Sequence, residues 1–429
     1  MKKILLTIVA LLIVSAATAQ DTTFVRQTIR KLASDELHGR GYSYRGDSCA
    51  AEFLRSELRR LGVQPMGDNY YQCYTFPVFS MEGPLYLAVD GQRLRPFKDY
   101  RVAFWSEELK GNYNIVTMPA AYLMDEQKMN RFLKKQGANL GRALVYIDAT
   151  QYKPANDDAK KSFNVALASL KRQNPFKSLG IIVAMNEMNT MSPAYNYEHG
   201  YAYVEVLADR MPRKPKHADF EVHTQFHPQY RTQNVCGIVP GEVDTMIVFT
   251  AHYDHLGTMG DNVVFYGAHD NASGVAAVLD MARMAAKDKP HYTQLFCFFS
   301  GEEAGLCGSK YMSEHPLFDY DKVRLLINID MFCGGDEGIM IFNGKAPETA
   351  PFVDRLDTLN KVLEVAPELR RRENRPNSDH YYFTKHVPAI FVLSMGQPYG
   401  GYHDPADTCD RCGLEHYLNY ITLLSALTL

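Results

Sequence analysis

The 429-residue sequence lacks a surplus of charge of either sign: 46 Lys and Arg against 49 Asp and Glu leave a formal net charge of −3. No electrostatic case remains for nucleic acid or an anionic membrane surface as partner. Beyond the first twenty residues no apolar run is long enough to cross a bilayer, which takes about 20 residues. Internal repeats and low-complexity tracts are missing as well. Cysteine is sparse, with 8 residues, and a chain of this length builds its core without depending on a disulfide framework.

The length admits one large domain or two, and 46% apolar with 22% charged residues is ordinary globular composition. The N-terminus is different: Lys2 and Lys3, an apolar run from Ile4 to Val14, then Ser15-Ala16-Ala17-Thr18-Ala19-Gln20. A positive start, a short apolar stretch and an A-x-A ending predict a signal peptide over residues 1–19, cleaved after Ala19. Gln20 is not a cysteine, so no lipid anchor is indicated, and the mature chain is expected to be exported, into the periplasm or medium, without membrane insertion. Cys297, inside an apolar run, reads as a small buried hydrophobe. Cys409 and Cys412 form one C-x-x-C, too few ligands for a structural zinc site; a local disulfide and two free thiols both stay open.

Helical spacing marks residues 22–34 and 48–61, with Gly62 suited to the position just past a helix end. Short aromatic and β-branched runs over 70–105 read as antiparallel strands. "GRALVYID" (141–148) and "LGIIVAM" (179–185) read as strands separated by a helix around 161–172, and 186–232 reads as loop-dominated. Residues 20–80 are taken as the N-terminal part of the main domain, 81–228 as an inserted smaller α/β subdomain, and 229–429 as the core. There "TMIVFTA", "QLFCFF", "RLLINI" and "AIFVLSM" alternate with helical stretches such as 274–287. Apolar runs without polar alternation indicate strands covered on both faces, hence a mainly parallel sheet flanked by helices.

The chemistry lies just past the end of each run. His252, Tyr253 and Asp254 come after the first, Glu302 and Glu303 after the second, Asp330 after the third, and Tyr402 and His403 after the glycine-rich loop beyond the fourth. Asp270 opens "DNASG" ahead of a helix. In open α/β sheets ligands bind beyond the carboxyl ends of the strands. Any one of these side chains could be a helix cap or a solvated loop group. Together they bring Asp270, Glu302, Glu303 and Asp330 to one edge, a concentration of negative charge that divalent metal ions would neutralise. Zinc takes imidazole and carboxylate ligands, and a carboxylate can bridge a pair of ions. His252 and Asp254, at i and i+2, share one side of an extended segment, so Asp254 is placed to orient His252 rather than to bind metal.

"AHYDHLG", "GAHDNASG", "FFSGEEAGLCGS", "NIDM" and "YHDPADT" resemble, in order, the motif series of the exported zinc aminopeptidases of metallopeptidase family twenty-eight. "LASDELHGRG" (32–41) resembles the start of the mature chain in bacterial members, and 81–228 loosely resembles their protease-associated insertion. The resemblance implies a zinc exopeptidase fold with two Zn²⁺ ions: His252, Asp270 and Asp330 would hold one, and Asp270, Glu303 and His403 the other, with Asp270 shared. Glu302 would be the general base. Tyr402 stands where some members use a tyrosine to steady the oxyanion; a packed aromatic is the other reading. Asp379 in "SDHYYF" matches a recurring position whose role the sequence does not give, and His255 and His269 are expected to act from loops or behind the ligands. Where members commonly carry Thr after the last histidine, this chain has Asp404. Peptides are the implied substrates. A carboxypeptidase or deacylase shares the metal site, and a glutaminyl-cyclase-like acyl transferase shares the scaffold; each stays open as an alternative to an aminopeptidase.

Overall fold

In a computed structural model the described residues are 22–191, 199–397 and 399–428; the expected signal peptide lies outside them. The chain divides into two compact units, one made of residues up to Phe76, Tyr230–Gly257 and Phe265 onwards, the other of Pro77–Gln229 and Thr258–Val264.

The strands of the first unit are β1 (Thr224–Val239, entering from the second unit), β2 (Val243–His252), β3 (Tyr292–Phe299), β4 (Val323–Ile329), β5 (Gly338–Phe342), β6 (Leu369–Arg371) and β7 (Ala389–Met395). Its helices are α1 (Thr22–Leu32), α2 (Gly46–Leu61), α3 (Gly274–Lys287), α4 (Cys307–Glu314), α5 (Ala350–Leu363) and α6 (Tyr417–Ser425). The sheet order is Gln64–Pro65, β1, β3, β2, β4, β7, β5, β6, with Tyr71–Met81 also paired to β1. β3, β2, β4 and β7 run parallel, while β1 and β5 are antiparallel to their neighbours β3 and β7. The chain leaves β2 for β3 on one side and then crosses to β4 on the other, so the order reverses at β2, where such sheets bind ligands.

Burial explains the unbroken apolar runs. Ile247, Phe249 and Ala251 of β2, Phe296 and Phe298 of β3, and Leu325, Ile327 and Ile329 of β4 share a core with α1, α2 and α3. Val248, Leu295, Cys297, Phe299 and Leu326 face the other way, against Met312 of α4 and Phe383. With helices on both faces, neither face offers water a reason for polar side chains. Cys297 is a free, buried thiol.

The second unit has its own sheet, in which Leu109–Thr117, Ala143–Asp148, Gly180–Met185 and Ala202–Leu207 are parallel neighbours, with Asp157–Ser169 as one crossover helix. The expectation of a loop-dominated 186–232 is corrected here. Ala202–Leu207, His217–Val222 and the start of β1 are strands. The Met, Pro, Asn and His of that stretch mask them, whereas "AYVEVL" is buried on both faces apart from its last residue.

The C-x-x-C is neither a local disulfide nor a pair of free thiols. Cys412 pairs with Cys333, 79 residues away, and Cys409 is a free buried thiol. The bridge ties the segment after β4 to the segment before α6. Closing a loop of that length removes unfolded-state entropy equivalent to about 4.5 kcal/mol. Cys333→Ser with Cys412→Ser is expected to lower the midpoint of urea unfolding with an increased slope, because the unlinked denatured chain is more expanded.

Candidate metal centre

The candidate side chains converge from five separate places in the first unit. His252 ends β2, Glu302 and Glu303 follow β3, Asp330 follows β4, and Asp270 lies in the tight turn before α3. His403, at the end of the loop from β7, has φ 52°. Asp270 stands at the meeting point. Its Oδ1 lies 3.4 Å from His252 Nε2, and its Oδ2 lies 3.3 Å from His403 Nε2. Asp330 Oδ1 is 3.3 Å from the same His252 nitrogen, and Glu303 Oε2 is 3.2 Å from the same His403 nitrogen. Two half-sites, each an imidazole with two carboxylates, thus share one carboxylate through its two oxygens. Glu302 reaches the first half-site as well, grouping with His252 and Asp330 within 4.8 Å.

The donor set fits a metal pair. Two ligand atoms each about 2.0–2.1 Å from a tetrahedral zinc lie about 3.3 Å apart, close to all four separations. A direct hydrogen bond is shorter, as His255 shows: its Nδ1 lies 2.7 Å from Glu303 Oε1 but 4.0 Å from Asp270 Oδ2. His255 therefore braces the outer oxygen of Glu303. Charge demand agrees. Burial works against a protonated His403, yet Glu303 and Asp270 outweigh it and hold the imidazole up at about 11. Burial likewise opposes His252, and Asp330 and Glu302 prevail. Carboxylates that force protons onto buried imidazoles are carboxylates short of cations.

The adjacent glutamates diverge. Burial raises Glu302 well above the usual carboxylate range; His252 pulls it back, and Glu303, Asp379 and Asp330 push it further. Burial also lifts Glu303, but His403 and His255 prevail and hold it at about 2. Burial pushes Asp379 up to about 7.

Buried partners fix the carboxylates. Ser378 Oγ donates to Asp330 Oδ2 (2.7 Å), Asn328 Nδ2 to Ser378 Oγ (2.7 Å), and Thr250 Oγ1 to Asn328 Oδ1 (2.7 Å). Asp407 accepts the main-chain N–H groups of His269 and Asp270. Asn271 Oδ1 accepts from the N–H groups of Gly274 and Met331, and Ser273 Oγ from that of Phe332, joining the turn before α3 to the segment after Asp330. Asp254 meets His252 by its main-chain carbonyl, 3.1 Å from Nδ1, while its carboxylate Oδ1 is 3.8 Å away. The carboxylate instead accepts from the N–H groups of Glu302 (3.2 Å) and Glu303 (3.3 Å) and from Tyr42 Oη (2.7 Å). It holds the paired glutamates and reaches the histidine through its backbone.

Tyr402 is half exposed and lies on the His403 ring, centroids 3.8 Å apart. His269 stacks on Tyr399 and contacts Cys333 Sγ. Ser378, Asn328, Thr250, Asp407 and Arg40 were missed as sequence candidates. Four carried a signal: Asn328 inside "NIDM", Asp407 inside "YHDPADT", Arg40 inside "LASDELHGRG", and Ser378 beside Asp379; Thr250 carried none.

Residues 234–428 match the model of peptidase family M28. The chain carries a peptidase family M28 domain. A Zea mays protein named "Probable glutamate carboxypeptidase" is 28% identical over 220 residues, which are 45% of this chain and 29% of that one. An Arthroderma otae protein named "Probable leucine aminopeptidase" is 26% identical over 206 residues, 46% of this chain and 57% of that one. The chain thus aligns with less than two thirds of the length of either relative. The crystal structure of a zinc aminopeptidase from Bacillus subtilis superposes with TM-score 0.65 over 94% of each chain at 18% identity, a likeness of fold. The M28 domain covers β2, β3, β4 and β7 and every side chain of the two half-sites.

Proposed function

We propose that the M28 domain is a zinc-dependent exopeptidase, an aminopeptidase, that binds two zinc ions with Asp270 shared between them. The observation that carries this reading is the split of one buried carboxylate between two imidazoles, each completed by its own second carboxylate. His252 and Asp330 would complete one position, Glu303 and His403 the other. When bound, the zinc pair would supply Lewis acidity and lower the pKa of water at the site.

Glu302 is then the proton carrier. Its carboxylate reaches the His252–Asp330 half-site, and its main chain is pinned by Asp254, so the group holds its position while a proton moves. It takes a proton from the attacking water and delivers it to the leaving amine, work that contributes about 10²–10⁴-fold in rate. The Tyr402 hydroxyl is the side-chain donor for the oxyanion. His255 and Ser378 hold the Glu303 and Asp330 carboxylates through hydrogen bonds, and Asp254 holds the main chain of the paired glutamates. The Cys333–Cys412 bond suits the oxidising compartment to which a leader over 1–19 would direct the chain.

The test is zinc content by atomic emission together with hydrolysis of a panel of aminoacyl anilides, before and after chelation. The expected result is two zinc ions per chain, anilide hydrolysis lost on chelation and recovered on zinc addition, and an intact mass beginning at Gln20. The maize relative's printed name favours one second reading, a carboxypeptidase on the same metal pair. Hydrolysis confined to peptides with a free C-terminus would select it, and a chain that takes up no zinc would defeat both.

A further inference from the structure

Among the described residues, the first unit holds one fully buried guanidinium, that of Arg40, beside the half-sites and outside residues 234–428. Asp270, Asp407, Asp254 and Glu303 all lie near enough to act on its charge, yet every hydrogen bond it makes goes to main-chain carbonyls. Nε donates to Tyr253 O (2.8 Å), Nη1 to Leu32 O (2.8 Å) and Tyr266 O (2.6 Å), and Nη2 to Gly267 O (2.8 Å) and Asp270 O (3.3 Å). Those five carbonyls belong to three segments: the end of α1, the residue after His252, and the approach to Asp270 together with Asp270 itself.

The backbone around Arg40 is locked to the same region. The His255 N–H donates to Arg40 O, and the Gly257 N–H to Gly39 O. Gly41 packs so closely that a Cβ on it would stand 2.4 Å from Gly257 Cα, and one on Gly39 would stand 2.4 Å from Gly257 O. The glycines flanking Arg40 thus permit the close approach that brings its side chain between the two segments.

Resting on the proposed zinc pair, we infer that Arg40 is a positioning residue for it. The guanidinium fixes the separation of the His252 and Asp270 backbones, and through it the bite of the ligands they carry. A planar fork with five donors can span carbonyls from several directions at once, which a lysine ammonium, with three donors around one point, cannot. Because none of these bonds goes to a carboxylate, Arg40 leaves the carboxylate oxygens free for metal while placing a positive charge behind them.

The test compares the full chain with Arg40→Ala, Arg40→Lys and Leu54→Ala, the last removing a buried apolar side chain of α2 from the core that α1, α2 and α3 share. Zinc affinity is measured by competition with a chromogenic chelator, and folding by circular dichroism and thermal melting. Both Arg40 variants are expected to lose about 10–100-fold in zinc affinity, the range seen when groups behind metal ligands are removed. Leu54→Ala is expected to melt lower but to keep wild-type affinity. Low-millimolar guanidinium, and not ammonium at the same concentration, is expected to restore part of the affinity of Arg40→Ala. If Arg40→Ala fails to fold, Arg40→Lys carries the comparison. Wild-type affinity in a folded Arg40 variant, or an affinity loss in Leu54→Ala matching its melting shift, would overturn the inference and leave the proposed function standing. A wild-type chain without zinc overturns that function, and the inference with it.

Discussion

Glu302→Gln is expected to keep both zinc ions and to lose about 10²–10⁴-fold in turnover, the share that general acid–base catalysis supplies. The substitution preserves shape and leaves the main-chain N–H of residue 302 on Asp254, so Glu303 stays in place. Only the exchangeable proton site is removed. The measurement is turnover on an aminoacyl anilide beside zinc stoichiometry. The stoichiometry matters because Glu302 groups with His252 and Asp330. If Glu302 were a ligand, zinc content would fall from two towards one along with activity. Turnover within a few-fold of wild type would remove Glu302 from the chemistry altogether.

Asp270→Ala should be more severe. Each half-site loses one of its three ligands at once, since Asp270 faces both imidazoles. Zinc affinity is expected to drop at both positions by more than the ~10–100-fold typical of groups that merely support ligands, with turnover falling to background. His403→Ala, which touches one half-site, is expected to weaken a single ion. Thermal melting supplies a second readout. A tightly bound ion stabilises the folded chain by mass action, and by more at higher concentration. Zinc should therefore raise the melting temperature of wild type and leave that of Asp270→Ala nearly unchanged. Two zinc ions retained by Asp270→Ala would exclude a shared carboxylate.

The sheet was legible because its strands are buried on both faces. Side chains such as Phe249 and Val248 go to opposite cores, so the sequence shows solid apolar blocks, and the residues just past each block fall at one edge. The candidate ligands were legible for the same reason: charge immediately after an apolar run is conspicuous. The partners of their supports were not, even where the support itself sat in or beside a motif. Ser378 meets Asp330 across 48 positions, Thr250 meets Asn328 across 78, and Asp407 meets Asp270 across 137. Nothing local in a serine, a threonine or an aspartate announces a partner at that distance. Asp254 was legible as a neighbour of His252, but its carboxylate turns to Glu302 and Glu303, because a strand end lets main chain and side chain serve different neighbours. The C-x-x-C pair gave no hint of Cys333, since spacing records only neighbours along the chain.

Helices α1 and α2 precede the M28 match by well over a hundred residues, yet they cover the same core as α3. A fragment beginning at Asn234 would carry all the acidic and imidazole groups of the half-sites and still be without the wall that α3 leans on. Similarity between relatives marks out the segment that carries the half-sites, whereas the apolar core of the first unit draws on α1 and α2, which in the sequence precede the residues of the second unit. Ribosomal synthesis would therefore release α1 and α2 early, exposed and waiting, until the last strands arrive to cover them.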